Sequence, residues 1–216
     1  MRTHPFEDIW LFLAGGTDSH LGVGAWRYLL VALYWGLVVA SCLLAYRNWQ
    51  SDIAQRTLPH VGNWLARIVI GSMWFEGSLW KLPIPSGGFQ YWLEQEVEHA
   101  AYGFHKELVS SVLLVNFTLV NSIAFLAEMG MACAFILGFG VRAFALLGMG
   151  FATQLYFGLY THPNEWPWTY IFIVVICGMF FVHAAGRSLG LDALIRRETR
   201  LAQGVGPIGR LYRLVS

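Results

Sequence analysis

Charged residues interrupt an apolar segment, residues 64–82, that is long enough to cross a lipid bilayer. The segment contains Arg67, Glu76 and Lys81. An ionisable side chain inside a membrane helix costs about 2.5–3.5 kcal/mol on insertion scales unless it is paired or near water. At about 100° per residue, Arg67 and Lys81 lie within about 40° of each other, whereas Glu76 lies about 180° from Arg67. The three cannot all pair with each other, so we expect Glu76 to face another helix or a cavity.

The composition around this segment is that of an integral membrane protein. The chain has 216 residues, of which 56% are hydrophobic and only 12% charged, and its mean hydropathy is +0.52. These values are too apolar for an ordinary soluble domain of this length. The net charge of +1 gives no overall basic field and no nucleic-acid-binding motif is present, so a nucleic acid is not predicted as a partner.

The pattern predicts an all-α fold, a polytopic bundle of five transmembrane helices in one membrane domain, residues 1–216. An interfacial tail, residues 1–25, precedes the spans, and an amphipathic surface helix, residues 88–108, lies on the outer side. A basic cytoplasmic tail, residues 186–216, follows them. The five predicted spans are uninterrupted or nearly uninterrupted apolar runs, residues 26–46, 64–82, 112–137, 141–160 and 168–185.

The distribution of Lys and Arg predicts the orientation in the cell (inner) membrane. The tail from residue 186 is rich in arginine, which places it in the cytoplasm, and five spans then place the N-terminus outside. In an alternative topology with an even number of spans, residues 26–46 do not cross the membrane. The distribution of charge separates this alternative only weakly from the topology with five spans. In either case the surface helix and the loop at residues 162–168 lie outside, and membrane lipid surrounds the bundle.

This topology predicts partners for the buried charges. Glu128 lies in the third span, and Asn121, seven positions earlier, shares its helix face within about 20°. Because an unpaired guanidinium or carboxylate in hydrocarbon is costly, we predict that Arg67 pairs with Glu128, with Arg142 as a competing partner. Lys81 is predicted to extend to water at the outer boundary.

Two interpretations of these charges remain open. They either fix the register of the helices or line a polar pocket inside the bundle. A quinone head group needs a donor to its carbonyl oxygens and a proton source, and both types are present. The candidate catalytic residues are Arg67, Glu76 and Glu128. The candidate substrate-binding residues are Trp74, Trp80, Lys81 and Asn121.

Metal and haem sites are not predicted, and neither is any other bound cofactor. Cys42, Cys133 and Cys177 are isolated, without the spacing of a redox dithiol, zinc or iron–sulfur site. Only His183 falls within a span, which argues against a b-type cytochrome. His99 and His105 are six residues apart on the acidic surface helix and are predicted to belong to its solvated face.

Three segments resemble, in order, the signatures of the DoxX/DoxD family of small membrane proteins. They are RIVIGSMWFEGSLWKL (residues 67–82), EMGMACAFILGFGVR (residues 128–142) and GRSLGLDAL (residues 186–194). The added first span is most similar to the DoxD membrane subunits of thiosulfate:quinone oxidoreductases. The resemblance implies a four-helix core with an additional N-terminal helix and electron transfer to the quinone pool together with a partner subunit. It also implies that Arg67, Lys81 and Glu128 match the family's intramembrane Arg, Lys and Glu.

Three functions follow as expectations. The first is a membrane subunit of a quinone-linked oxidoreductase, with a quinone as substrate and the electron carrier on a partner subunit. The second is a non-catalytic accessory or assembly subunit, because the outer surface is rich in Trp and Tyr that suit an interface with a larger membrane complex. The third is a transporter, which is less favoured because the spans show no inverted repeat.

Overall fold

The computed structural model describes residues 4–198 and 206–216, and these residues form helices and loops without a β-strand. The all-α prediction is confirmed. Part of the predicted basic tail, residues 199–205, lies outside the described residues. The described α-helices are α1 (Pro5–Ala14), α2 (Asp18–Gly22), α3 (Arg27–Ser51), α4 (Leu58–Leu79), α5 (Gly87–His99), α6 (Gly103–Leu108), α7 (Phe117–Leu137), α8 (Val141–Gly158), α9 (Trp168–Val182), α10 (Leu191–Glu198) and α11 (Gly206–Val215).

Two of these helices are long and apolar enough to cross a membrane. They are α7 and the segment Gly24–Ser51, which contains α3; α9 is apolar but shorter. Polar residues within α4, among them Asn63, Arg67 and Glu76, lower its mean hydropathy. Five spans therefore remain a prediction, although each predicted span overlaps one of the helices α3, α4, α7, α8 and α9.

The bundle is organised around α7, which packs against α3, α4 and α8, while α8 packs extensively against α9. Aromatic and sulfur-containing side chains fill its core, among them Trp74, Phe75, Met131, Phe135 and Phe180. At its end, α7 turns into α8 through Gly138, whose φ of 72° is in the left-handed region that favours glycine. This turn brings the start of α8 close to α4.

The predicted surface helix is not continuous. Helix α5 begins at an N-cap, where the hydroxyl of Ser86 accepts a hydrogen bond from the amide of Phe89, and it ends at His99. An extended residue, Ala100, separates it from α6, and a π-helical turn, Val109–Leu113, leads toward α7. The prediction of one helix over residues 88–108 is therefore wrong in its continuity.

The face of α5 that turns inward forms a second, smaller core over α7. Phe89 and Leu93 pack there with Val109 and Ala124. Helix α5 also packs against α6, the π-helical turn and α8. It forms one wall of the cavity described below.

The N-terminal residues are more ordered than an interfacial tail. Helix α2 contacts α4, and Phe12 of α1 packs edge-on against Tyr34 and Phe75. His20 is only 1% exposed. The first helices therefore bring a histidine to the flank of α4.

Candidate functional site

The structure pairs Glu128 with Lys81. The Lys81 Nζ atom lies 2.6 Å from Glu128 Oε2, and the two side chains are only 3% and 6% exposed. Nζ also donates to the backbone carbonyl of Gly77 at 3.0 Å and lies 3.9 Å from the centre of the Trp80 ring. The predictions that Arg67 pairs with Glu128 and that Lys81 extends to water are both wrong.

The reason lies at the end of α4. Lys81 lies two residues beyond Leu79, the last residue of α4, so its long side chain can fold back along the final turn and reach Glu128 of α7. The carbonyl of Gly77, one turn earlier, accepts a hydrogen bond from the returning ammonium group. The prediction counted 1.5 Å per residue along straight helices, which places each side chain at the level of its own Cα atom. Such a count does not include a side chain that folds back along its helix.

Asn121 positions the turn that carries Lys81. Its side-chain amide donates to the backbone carbonyl of Lys81 at 3.0 Å and accepts from the amide of Ser86 at 2.7 Å. Asn121 is fully buried, and these two bonds tie the segment between α4 and α5 to α7. Its role in the structure is to position the segment between the helices.

Arg67 occupies a fully buried site near the middle of α4. Its guanidinium donates from Nη1 to the carbonyl of Phe135 at 2.9 Å and from Nη2 to the carbonyl of Ser188 at 2.8 Å. A Cβ atom at Gly138 would lie 2.1 Å from Nη1, so only glycine fits there. Arg67 itself is 0% exposed.

Asp192 supplies the charge that compensates Arg67. Its carboxylate accepts hydrogen bonds from the amides of Gly140 and Val141 and from the hydroxyl of Tyr212. Burial raises the pKa of Asp192, while these donors and the charge of Arg67 lower it. We call Arg67, Asp192 and the backbone groups they bind the latch. Arg142, the predicted competitor, donates instead to the carbonyl of Phe181 at 3.1 Å.

The buried pair Lys81–Glu128 lies in the wall of a cavity of about 450 Å³. The rest of the wall is largely apolar and aromatic. Of the candidate residues, Trp80, Lys81 and Glu128 line the cavity, whereas Arg67, Trp74, Glu76 and Asn121 do not. The lining residues are Trp80, Lys81, Phe89, Trp92, Leu93, Glu96, Leu113, Val120, Ile123, Ala124, Glu128, Gly150, Phe151, Gln154, Leu155, Leu159, Glu165 and Tyr170.

A second polar group of the wall was missed by the sequence analysis. Glu96 is 3% exposed and accepts a hydrogen bond from the side-chain amide of Gln154. The Nε2 atom of His105, also 3% exposed, lies 3.5 Å from Glu96 Oε2. The prediction of a solvated face is therefore wrong for His105. Phe89, Leu93 and Glu96 recur at helical spacing, and this signal places Glu96 on the apolar face of α5.

Glu76 faces away from the cavity, toward the N-terminal segment. Its Oε2 atom is buried without a hydrogen bond and lies 3.8 Å from Nδ1 of His20. Nδ1 also lies 2.7 Å from the hydroxyl of Thr17. Burial lowers the pKa of His20 more than the charge of Glu76 raises it, so the neutral imidazole is favoured.

Trp74 lies one layer behind the cavity wall. Its ring packs edge-on against Phe151, with 6.2 Å between the ring centres, and Phe151 lines the cavity. The indole Nε1 atom is buried without a hydrogen bond. Trp74 therefore supports the shape of the cavity through a neighbour.

Among residues 4–198 and 206–216, no group of three or more His, Cys, Asp and Glu side chains is placed to hold a metal ion. The polar chemistry of the cavity is that of an ammonium group, carboxyl groups, an amide and a phenol.

Comparison of the chain with models of protein families, with characterised proteins and with solved structures found no match.

Proposed function

We propose that the cavity binds a quinone and that the chain is the membrane subunit of a quinone-linked oxidoreductase. The observation that carries the proposal is a buried ion pair, Lys81–Glu128, in the wall of a largely apolar cavity of about 450 Å³. Pockets for small molecules combine predominantly apolar walls with a few placed polar groups. A quinone has a flat apolar ring with carbonyl oxygens that accept hydrogen bonds, which suits this combination.

Lys81 is the group that would bind a quinone carbonyl oxygen. An ammonium group has three N–H donors, and Glu128 and the Gly77 carbonyl account for two of them. A donor beside the carbonyl stabilises the negative charge that develops on oxygen as electrons arrive. Trp80 and Phe89, whose ring centres are 5.8 Å apart, line the cavity beside Lys81 and supply an aromatic wall for the ring.

Glu128 would hold the ammonium in place and exchange a proton with the reduced ring. Its carboxyl group is within hydrogen-bond distance of Lys81 and lines the same cavity. Proton transfer by a positioned side chain typically contributes about 10²–10⁴-fold to a rate. The electrons would come from a partner subunit, with thiosulfate or a related sulfur compound as donor, as the resemblance to the DoxX/DoxD family implies.

The packing of the helices supports a place for the chain within this family. The three segments that carry the resemblance meet at the latch, because Arg67, the carbonyl of Phe135 and the carbonyl of Ser188 come one from each. A contact among all three gives their order and spacing a structural reason. We propose the five-span topology on the same basis, with α3, α4, α7, α8 and α9 as the spans.

The outward surface supports a location in the cell membrane, with the N-terminus outside and the C-terminus in the cytoplasm. Large apolar side chains are exposed along α3, α7 and α9, for example Leu43, Leu126 and Val182. Exposed apolar area of this extent marks contact with lipid or protein. The arginines of α10 and α11 would then face the cytoplasm.

The experiment that tests the proposal is a calorimetric titration of the purified protein in detergent with decylubiquinone. We expect saturable binding that falls at least tenfold in the double variant Lys81→Met/Glu128→Gln, which removes both charges together. Lys106→Met removes an exposed lysine of α6 and is the matched control, with unchanged affinity. Equal affinity of wild type and double variant would contradict the assigned site.

A non-catalytic accessory subunit is the second candidate. The observation that favours it is a set of exposed aromatic side chains at the predicted outer side, with Tyr91, Trp166 and Trp168 between 52% and 60% exposed. Aromatic residues are enriched at protein interfaces and also in membrane-interface belts. A photoreactive amino acid in place of Trp166 distinguishes a protein interface from a membrane-interface belt. A docked subunit gives one discrete cross-linked protein, and a lipid belt gives none.

A further inference from the structure

The cavity has polar groups at two places along α5. Phe89 lies at one end, with its ring centre 5.4 Å from Nζ of Lys81. Glu96 lies seven residues further on, which is about 10 Å along a helix axis. Leu93 and Trp92 form the wall between them. The carboxyl group of Glu96 is therefore separate from the Lys81–Glu128 pair, although it lines the same cavity.

Glu96 is packed closely by groups from the neighbouring helices. Gln154 of α8 donates a hydrogen bond to it, and a Cβ atom at Gly158 would lie only 2.6 Å from its Cγ atom. Glu165 and Tyr170, joined by a hydrogen bond of 2.9 Å, line the cavity as well. These contacts hold the carboxyl group in one position at the cavity wall.

His105 lies behind Glu96 and does not line the cavity. It belongs to α6, whose other side chains Phe104, Lys106 and Glu107 are exposed. Its Nε2 atom is buried, has no hydrogen bond and lies 3.5 Å from the Glu96 carboxyl group. The imidazole thus stands between the outer surface of α6 and the carboxyl group at the wall.

We propose that Glu96 and His105 form the proton path between the outer aqueous side and the ligand in the cavity. This rests on the proposed function, because it assumes that the ligand is a quinone. Reduction of the ring takes up two electrons and two protons, and each carbonyl oxygen gains an O–H bond. Glu96 gives one proton to the carbonyl oxygen at its end of the cavity and is reprotonated through His105 from water at the outer surface. The other carbonyl oxygen takes its proton at the Lys81–Glu128 pair.

The environment of Glu96 suits proton exchange. Burial raises the pKa of Glu96, whereas His105 and Gln154 lower it. The groups that face it are His105 from α6, Gln154 from α8 and Tyr170 from α9, while Glu98 on its own helix is exposed. A carboxyl group held at the cavity wall with an imidazole behind it can give a proton on one side and take one up on the other.

The test is infrared difference spectroscopy of the purified protein with bound decylubiquinone, which an electrode reduces and reoxidises, so that no partner subunit is needed. We expect a carboxylic acid C=O band that changes on reduction and is lost in Glu96→Gln. Glu98→Gln, two residues along the same helix, is the matched control and keeps the band. His105→Asn keeps it too but shifts its titration to higher pH, because a group that favours the carboxylate is removed.

The outcomes separate this proposal from the proposed function. If decylubiquinone does not bind to the wild type, both are overturned. If it binds and is reduced but Glu96→Gln leaves every carboxylic acid band unchanged, the proton path is overturned and the quinone site stands. Bound quinone in Glu96→Gln with the band lost supports both.

Discussion

Helix α4 carries two buried cations with opposite surroundings. Near its middle, Arg67 donates to the backbone carbonyls of two other segments, and Gly138 and Gly190 pack against its fully buried guanidinium. Just beyond its end, Lys81 pairs with Glu128 in the wall of a cavity of about 450 Å³. Both positions have charge inside an apolar bundle. The difference teaches that a buried charge identifies a binding site only where space remains beside it.

The largest effect should follow from removing the latch. In Arg67→Met, the carbonyls of Phe135 and Ser188 lose their donor, and Asp192 loses its compensating charge. Breaking such a buried arrangement costs about 3–5 kcal/mol. Thermal unfolding in detergent should show this loss, while the remaining folded protein binds decylubiquinone with unchanged affinity. Weaker binding of decylubiquinone by the folded fraction of Arg67→Met would contradict the claim that the latch and the cavity are separate.

A smaller loss of stability should follow from Lys81→Met. Glu128 is left beside a cavity, where it can take up a proton and stay neutral, so we expect about 1–3 kcal/mol for its unsatisfied hydrogen bond. Adding Glu128→Gln should recover most of this loss, as a double-mutant cycle on thermal unfolding would measure. Binding of decylubiquinone should be weakened in both variants. Recovered binding in the double variant would show that the pair serves only the fold.

Two glycine substitutions compare the regions directly. In Gly138→Ala, the new Cβ atom would lie 2.1 Å from Arg67 Nη1 at a residue with φ of 72°, and overpacking of this kind costs about 1–3 kcal/mol. In Gly77→Ala, it would lie 3.6 Å from Glu128, an ordinary contact. Because alanine favours helices by about 1 kcal/mol over glycine, Gly77→Ala should be neutral or slightly stabilising. Chemical or thermal unfolding of the two variants checks the order.

The smallest effect concerns pH. Burial raises the pKa of Glu96 above the ordinary 4.5. The folded protein therefore gains stability from Glu96 at and below pH 4.5, and this gain is lost as the pH rises through the folded-state pKa. Melting temperatures measured across this window should depend less on pH in Glu96→Gln than in wild type. Glu98→Gln should retain the wild-type slope, and a slope unchanged in Glu96→Gln would contradict the raised pKa of Glu96.

Helix positions followed from the sequence because long apolar runs and turn residues are local signals. Residues 168–185 correspond to Trp168–Val182, and residues 141–160 to Val141–Gly158. The residues that pair with the buried charged side chains could not be predicted from such local signals. Lys81 reaches Glu128 only because the chain turns back after α4, and Arg67 binds carbonyls of Phe135 and Ser188, at the ends of other helices.

Other misses have separate physical reasons. Glu96 was hidden among acidic neighbours, although its spacing from Phe89 and Leu93 places it on the buried face of α5. His20 lies in a short segment without a motif, and only the packing of α2 on α4 brings it to Glu76. Such contacts depend on tertiary packing, which periodicity does not describe.

Photoaffinity labelling with an azido-quinone in native membranes, followed by peptide mapping, tests the central claim most directly. The cavity predicts labelled residues in 80–96 and 150–155, with labelling lost in Lys81→Met/Glu128→Gln and retained in Glu76→Gln. Labelling confined to the flank of α4 that carries Glu76 and His20 would contradict it.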